Sequence, residues 1–344
     1  MGHETVSSPT RLPTGSLSGL RKKNIIAGAV AAVLAGVVPV AHADIELGEG
    51  FTATGFLDMS FLSTNPDGGS TVDSAGIDQF ETDFKFAGSN GVSAQVDIEY
   101  GENASDLNPG DTTFVEQAFV TKKFNDQFSV KVGRFLSYSG WETEEPTGLF
   151  QYSASGYAPA FYGYYQQGAS AYYDGGKFAL MGSVVNDAFG YAGGPTERDT
   201  DKLGYELGVA LMPVEGLTTK LFYMSDDKTD RDVVNFWASY SVSGFTFAGE
   251  YNDGDYGANG KGDGYLLMAN YAKGNFGVTA RYVDYTIKDG AGVKTIDTSS
   301  YTFSPSYKVG SNLLIVGEVR FDKDNPAFGG NDSTAFALEA LFTF

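Results

Sequence analysis

Residues 92–100 read Val92-Ser93-Ala94-Gln95-Val96-Asp97-Ile98-Glu99-Tyr100. In an extended chain, successive side chains point to opposite faces. One face here carries Val92, Ala94, Val96, Ile98 and Tyr100. The other carries Ser93, Gln95, Asp97 and Glu99. This is a strand with one apolar and one polar side. The same period runs through 51–61, where Phe51, Ala53, Gly55, Leu57, Met59 and Phe61 oppose Thr52, Thr54, Phe56, Asp58 and Ser60.

Working outward, the pattern predicts strands near 50–62, 76–88, 91–102, 113–123, 127–136, 165–174, 177–187 and 202–213. More follow near 216–226, 230–241, 244–254, 263–273, 275–287, 297–308, 311–323 and 333–344. That makes about sixteen, most of them near the ~9–11 residues a tilted strand needs to cross a bilayer. The connections alternate. Tight ones hold turn residues, as in Gly88-Ser-Asn-Gly91, Gly175-Gly176 and Lys273-Gly-Asn275. Long ones cover roughly 63–75, 103–112, 137–164, 188–201, 255–262, 288–296 and 324–332, with 227–229 a short exception. A soluble sandwich has no reason to sort its loops this way. An antiparallel transmembrane β-barrel does, with short periplasmic turns and long outer loops.

Composition agrees. The 344 residues include 45 Gly, 26 Phe and 21 Tyr, with no Cys. The balance of 43 acids to 23 bases argues against a basic nucleic-acid face. Arg21, Lys22 and Lys23 precede an apolar run from Ile25 to Ala41, which ends at Ala41-His42-Ala43. This reads as a signal peptide over 1–43, leaving a barrel domain over 44–344 with strands starting almost at once and no plug domain. The leader removes four bases and one acid, so the mature chain is more acidic than the formal −20 of the whole.

A base at mid-depth on the lipid face costs ~2–4 kcal/mol, so ionisable groups at polar-parity positions are expected to line a wet lumen. They are Asp58, Glu81, Asp83, Lys85, Asp97, Glu99, Lys131, Glu206, Lys220, Glu250, Arg281, Glu318, Arg320 and Glu339. Acids outnumber bases, which predicts a cation-preferring wall. Lys131, Arg281 and Arg320 are the alternative, as a basic ladder facing that wall. Two strands do not alternate cleanly. Glu116 and Gln117 compete for the lumen, and Arg134 shares parity with Val130 and Val132. Either a bulge reverses that face or Arg134 lies beyond the hydrocarbon. At the end of the chain, Phe336, Leu338, Ala340, Phe342 and Phe344 share one face. This resembles the sorting signal read by the barrel assembly machinery, with Phe342 and Phe344 as its key residues.

The longest connection, 137–164, holds Trp141, Glu142, Glu144, Glu145, Tyr152 and Tyr157. A loop this long in a compact domain is usually functional or disordered, and its aromatics argue against disorder. It is expected to fold into the barrel as a constriction loop. A cap over the rim is the other reading.

The order Val130-Lys-Val-Gly-Arg-Phe135, Gly140-Trp-Glu142, Tyr152-Ser-Ala-Ser155, Pro159 and Gln167-Gly168 resembles the OmpL-like beta-barrel porin family, over roughly 113–175. That resemblance implies an outer-membrane diffusion channel. About sixteen strands point the same way, because a barrel of that size leaves an aqueous channel.

The expected function is passive diffusion of ions and small hydrophilic solutes. The alternatives are a structural or adhesive barrel with a closed lumen, or a channel specific for sugars or dicarboxylates. Catalysis is disfavoured by inventory. His3 and His42 both fall in the leader, so a Ser-His-Asp triad and a His or Cys zinc site lack their residues. No cofactor, no metal and no nucleic-acid partner is expected. The outer-loop acids Asp226, Asp227, Asp230, Asp232, Asp253, Asp255, Asp322 and Asp324 read as solvated. Expected partners are solutes, outer-membrane lipids, the assembly machinery and, by analogy with other sixteen-stranded porins, two further copies in a homotrimer.

Overall fold

The computed structural model describes residues 45–100, 113–190 and 198–344. The expected signal peptide, the whole 103–112 connection and part of the 188–201 connection lie outside the described residues.

A short β1 (Ile45–Gly48) leads into β2 (Phe51–Pro66), β3 (Val72–Ala87), β4 (Val92–Tyr100), β5 (Thr113–Lys123), β6 (Phe128–Leu136), β7 (Tyr165–Asp174), β8 (Phe178–Val185) and β9 (Gly204–Leu211). Then come β10 (Leu217–Asp226), β11 (Arg231–Val242), β12 (Phe245–Asp255), β13 (Lys261–Lys273), β14 (Phe276–Lys288), β15 (Lys294–Val309), β16 (Leu313–Asn325) and β17 (Asn331–Thr343). From β2 onward each strand pairs antiparallel with the next, and β17 pairs with β2. The sixteen strands therefore close into a barrel, as the period-two pattern predicts. No helix among the described residues is long and apolar enough to cross a membrane.

Closure has a local device. The Phe344 amide donates to the Gly55 carbonyl at 2.9 Å, and the Gly55 amide donates to the Phe344 carbonyl at 3.0 Å. Below this point β1 takes over the lane, pairing Ile45 with Ala53 and Glu46 with Thr52. Residue 55 must be glycine, because a Cβ there would meet the Phe344 ring at 2.7 Å and the Glu81 carbonyl at 2.2 Å.

The tight turns have the expected chemistry, with positive φ at Asn90, Gly91, Gly176, Ser243, Gly244, Gly274 and Gly310. Several outer connections are shorter than expected, because the strands run on past the bilayer-crossing length. The 63–75 connection shrinks to 67–71, and those at 255–262, 288–296 and 324–332 shrink similarly. The long outer connections are those after β4, β6 and β8.

Alternation is clear in the outward faces. Leu207, Leu221, Phe236, Phe247, Leu267, Phe303, Phe321, Phe336, Leu338 and Phe342 are all exposed, as a lipid-facing belt must be. The inward face departs from expectation in one arc. On β10 to β14 it carries Phe222, Met224, Val233, Trp237, Leu266, Met268 and Val283, all buried. Most of these groups cluster with Trp141, Tyr157, Phe161 and Tyr162 of the 137–164 loop, and Phe222 clusters with Ala179, Met181 and Ala210 beside Tyr138, so this part of the interior is a core rather than a wet wall.

Both irregular strands are accounted for. Asp97 pairs with Gln117 and Ile98 with Val115, which leaves Glu116 as the extra residue of a bulge. Glu116 and Gln117 both serve the inner side. The β5–β6 ladder stops at Ala118 and Arg134. Gly133 takes φ 136° there, and the Leu136 amide donates to the Gln117 Oε1 at 2.9 Å instead. Arg134 is buried with its guanidinium 5.4 Å from the Tyr165 ring centroid.

Leu267 lies midway along β13, facing outward. Leu267→Arg is expected to destabilise the barrel by ~2–4 kcal/mol, read as a shift of the urea midpoint in vesicles, whereas Leu267→Ala shifts it less.

Candidate functional site

The 137–164 loop enters the barrel and is fastened to the wall on nearly every side. At its start, the Ser137 hydroxyl and the Tyr138 amide donate to the Glu206 carboxylate on β9 at 3.0 and 2.9 Å. The Gly140 amide donates to Asn235 on β11 at 3.2 Å. The Trp141 amide donates to Glu250 on β12 at 2.8 Å. Glu250 also accepts from the Asn235 side chain at 2.6 Å and from the Tyr157 and Tyr162 hydroxyls.

Farther along, the loop reaches β14 to β16. Arg281 meets Glu142 at 2.7 Å, with side chains 1% and 4% exposed. Arg281 also donates to the Ser153 carbonyl at 2.6 Å, the Ser153 hydroxyl at 2.9 Å and Thr302 at 3.2 Å. The Ser153 amide donates to Glu318 at 3.0 Å, and Thr279 donates to the Phe150 carbonyl at 2.6 Å. Glu142 closes the loop on itself by accepting from Gln151 and the Ser155 amide at 2.8 and 2.7 Å. Each charge taken from water here has a partner, which a buried ion pair requires.

The far side is touched more lightly. Tyr152 shares a hydrogen bond with Ser60 on β2 at 3.0 Å and donates to Asp78 on β3 at 3.4 Å. Gln79 donates to Glu145 at 3.4 Å. A one-turn helix, α1 (Ala158–Phe161), is held by Tyr256 and Arg231, which donate to the Ala160 carbonyl at 2.9 and 2.5 Å.

Several expected lining residues turn out to be fasteners. Glu206, Glu250, Arg281 and Glu318 hold the loop rather than face open lumen. Trp141 and Tyr157 are buried, Trp141 against Trp237 at 5.3 Å and against Phe150 at 6.1 Å. They form no surface for stacking sugars. Lys131 is enclosed by the rings of Phe119, Phe135 and Tyr138, 4.7 to 5.2 Å from their centroids. Lys220 lies 4.8 Å from the Trp237 ring centroid. Of the basic ladder, Arg281 and Arg320 share a row across β14 to β16 on either side of Thr302, with Arg320 held by Asp322 at 3.0 Å, while Lys131 stands apart on β6.

The acids do gather. Glu81 pairs across strands with Glu99, and Asp83 with Asp97. Like charges directly opposite repel, and these acids of β3 and β4 form one contiguous carboxyl-rich arc of the wall. Glu116 and Glu145 join it, with carboxylate oxygens within 4.8 Å of one from Glu81. Lys85 reaches Asp83 and Thr54, each at 3.0 Å. Asp58 and Glu339 lie diagonally across the closing pair, β2 and β17. Glu144 of the loop is exposed. Two of the outer acids expected to be solvated are buried acceptors. Asp226 takes the amides of Ala188, Lys228 and Thr229, and Asp322 takes Ser300 and Asn325.

A closed sixteen-stranded barrel with a long loop folded inside it sets the comparison. The Gram-negative porin family is matched over residues 27–327. The chain belongs to the Gram-negative porin family. It is therefore an outer-membrane porin, and the resemblance read from residues 113–175 is borne out at that level. Among curated proteins no relative matches. Solved structures with the porin's fold include Salmonella typhi OmpF in complex with daunomycin, at 13% identity and TM-score 0.68, covering 88% of this chain and all of that one. An anion-selective porin from Comamonas acidovorans shares 17% identity at TM-score 0.63, covering 86% of this chain and 99% of that one. The trimer form of in-vitro folded Vibrio cholerae OmpT shares 12% identity at TM-score 0.59, covering 86% and 100%.

Sequence parity left Glu116 competing with Gln117 and missed Asn235, Gln79 and Tyr162 as members of this site. Asn235 shares the inward parity of Trp237 and Ser239, so a search for neutral polar groups as well as charges finds it. Parity cannot choose between Glu116 and Gln117, because the bulge that turns both inward is set by the pairing with β4.

The porin's only two tryptophans touch each other, so their emission reports loop docking. Glu142→Ala strands Arg281 in a buried site, a loss of ~3–5 kcal/mol for such pairs. A red-shifted tryptophan emission with intact β-sheet circular dichroism is the expected outcome. Burial, then the nearby Glu250 charge, holds the Tyr157 and Tyr162 hydroxyls well above the ordinary tyrosine value of 10. An unfolded tyrosine ionises near 10, so these two hydroxyls leave docking unchanged below that pH and weaken it progressively above it. The same emission shift is expected during titration above pH 10, displaced to higher pH by Tyr157→Phe plus Tyr162→Phe.

Proposed function

We propose that this porin conducts ions and small hydrophilic solutes by passive diffusion, with a preference for cations and no catalytic step. The supporting observation is the contiguous acid arc of Glu81, Asp83, Asp97, Glu99 and Glu116, faced by Glu145. A one-signed wall in a narrow, low-dielectric passage concentrates counter-ions and repels co-ions. Fold does not decide the sign, since a Comamonas porin of the same fold is anion-selective. The wall charges must decide it.

The 137–164 loop acts as the constriction, with Asp58, Lys85 and Glu339 on the lining beside it. A second reading has one observation in its favour. The packed core against β10 to β14 fills part of the interior, as in a structural barrel with a closed lumen. A sugar-specific channel has less support, because Trp141 and Tyr157 are buried. The leader over 1–43 would export the chain, and Phe342 and Phe344 would be read by the assembly machinery. The outward apolar belt would meet outer-membrane lipid, and the porin would assemble as a homotrimer.

Planar-bilayer recording of the refolded protein tests the proposal. Discrete channels are expected, with a reversal potential of cation sign in a salt gradient. Asp83→Asn plus Glu99→Gln is expected to lower the cation-to-anion permeability ratio by about twofold or more. Folded protein without channels refutes conduction, and an anion-signed potential refutes the selectivity.

A further inference from the structure

We propose that Glu81, Glu116 and Glu145 bind one divalent cation of calcium type inside the barrel. One carboxylate oxygen of each lies within 4.8 Å of the other two. Calcium takes oxygen ligands at about 2.3–2.6 Å, so oxygens on opposite sides of one ion stand about 5 Å apart. The three carboxylates fit that span without rearranging their strands.

The second observation is the state of Glu116. It is 3% exposed, and its Oε2 meets no hydrogen-bond donor among the described residues. A buried carboxylate oxygen without a donor is costly. Its bulge partner Gln117 is fully used, donating to Asp97 at 2.7 Å and accepting from the Leu136 amide. The bulge therefore turns one extra acid inward and leaves its Oε2 without a donor among the described residues.

The remaining surroundings favour a cation over further protein contacts. Gln79 donates to Glu81 and Glu145 at 3.3 and 3.4 Å, both long. Tyr165 donates to the other Glu145 oxygen at 3.2 Å. Lys85 is engaged by Asp83 and Thr54, and Arg134, over the Tyr165 ring, is the cation that attracts Glu116 from the neighbouring strand. Glu99 and Asp97 stand directly opposite Glu81 and Asp83, and Glu144 neighbours Glu145 in the chain. Calcium suits an all-oxygen set better than magnesium, which demands near-octahedral geometry and keeps its waters. Since Glu145 belongs to the loop and Glu81 and Glu116 to the wall, the ion would tie the loop to its most weakly held side. Binding does not require the protein to conduct.

Chelator-treated refolded protein in detergent, titrated with calcium chloride in a calorimeter, tests this directly. One saturable site is expected. Glu116→Gln is expected to weaken it at least about tenfold while leaving the tryptophan emission unchanged without calcium. Asp255→Asn, at an exposed outer strand end, is expected to bind like the parent. If Glu116→Gln does not fold, Glu145→Gln on the loop serves in its place. Absence of a saturable site in the parent overturns the proposal. So does binding that survives the glutamate variants, or that is lost with Asp255→Asn. Tighter binding of magnesium than calcium overturns the assignment of the ion.

Discussion

A backbone amide or carbonyl without a partner in hydrocarbon costs several kcal/mol, and a sheet in lipid has no water to repair its edges. Every other feature of this porin follows from the need to leave no edge. The pairing of β17 with β2 meets that need over most of the height. The reciprocal bonds between Phe344 and Gly55 finish it, and β1 extends the lane below. Closure then creates a second difficulty. A ring of sixteen strands encloses more space than its own side chains can fill. The 137–164 loop answers it by occupying part of that space.

The interior is divided by chemistry. Against β10 to β14 the loop meets apolar side chains and makes a core like that of a soluble domain, with Phe161, Leu266 and Met268 at its centre. Against β3 to β5 it meets carboxylates. The buried polar groups between these halves are paired in a consistent way. Glu206, Glu250 and Glu318 accept loop amides, and Arg281 neutralises Glu142. The wall charges nearest the loop are spent on holding it, and the acids with fewer protein partners set the electrostatics of the remaining space.

Much of this was legible in the sequence. Period two located all sixteen barrel strands, and turn residues such as Ser243-Gly244 marked the tight side, because both signals are local. The outward face was legible because lipid accepts only apolar groups. The inward face was legible only where water fills the barrel. Leu266 and Met268 share a face with Asn270, and nothing in the strand itself says that Tyr157 and Phe161 will cover them. That depends on contacts across more than a hundred residues. Glu116 stayed undecided against Gln117 for a related reason. A bulge is a misfit between two strands, so it belongs to neither sequence alone. The aromatics of the 137–164 loop gave the opposite difficulty, since stacking surface and packing surface are written with the same residues.

The uneven fastening of the loop has a mechanical consequence. On β9 to β16 the loop works as cross-bracing, joined to the wall by buried carboxylates, a guanidinium and packed rings. On β2 and β3 it is joined by the hydroxyl contact of Tyr152 with Ser60 and two contacts at 3.4 Å. A tube braced on one side is stiff there and compliant on the other. Thermal deformation of its cross-section concentrates in the acidic arc, where each small outward flexing widens the passage.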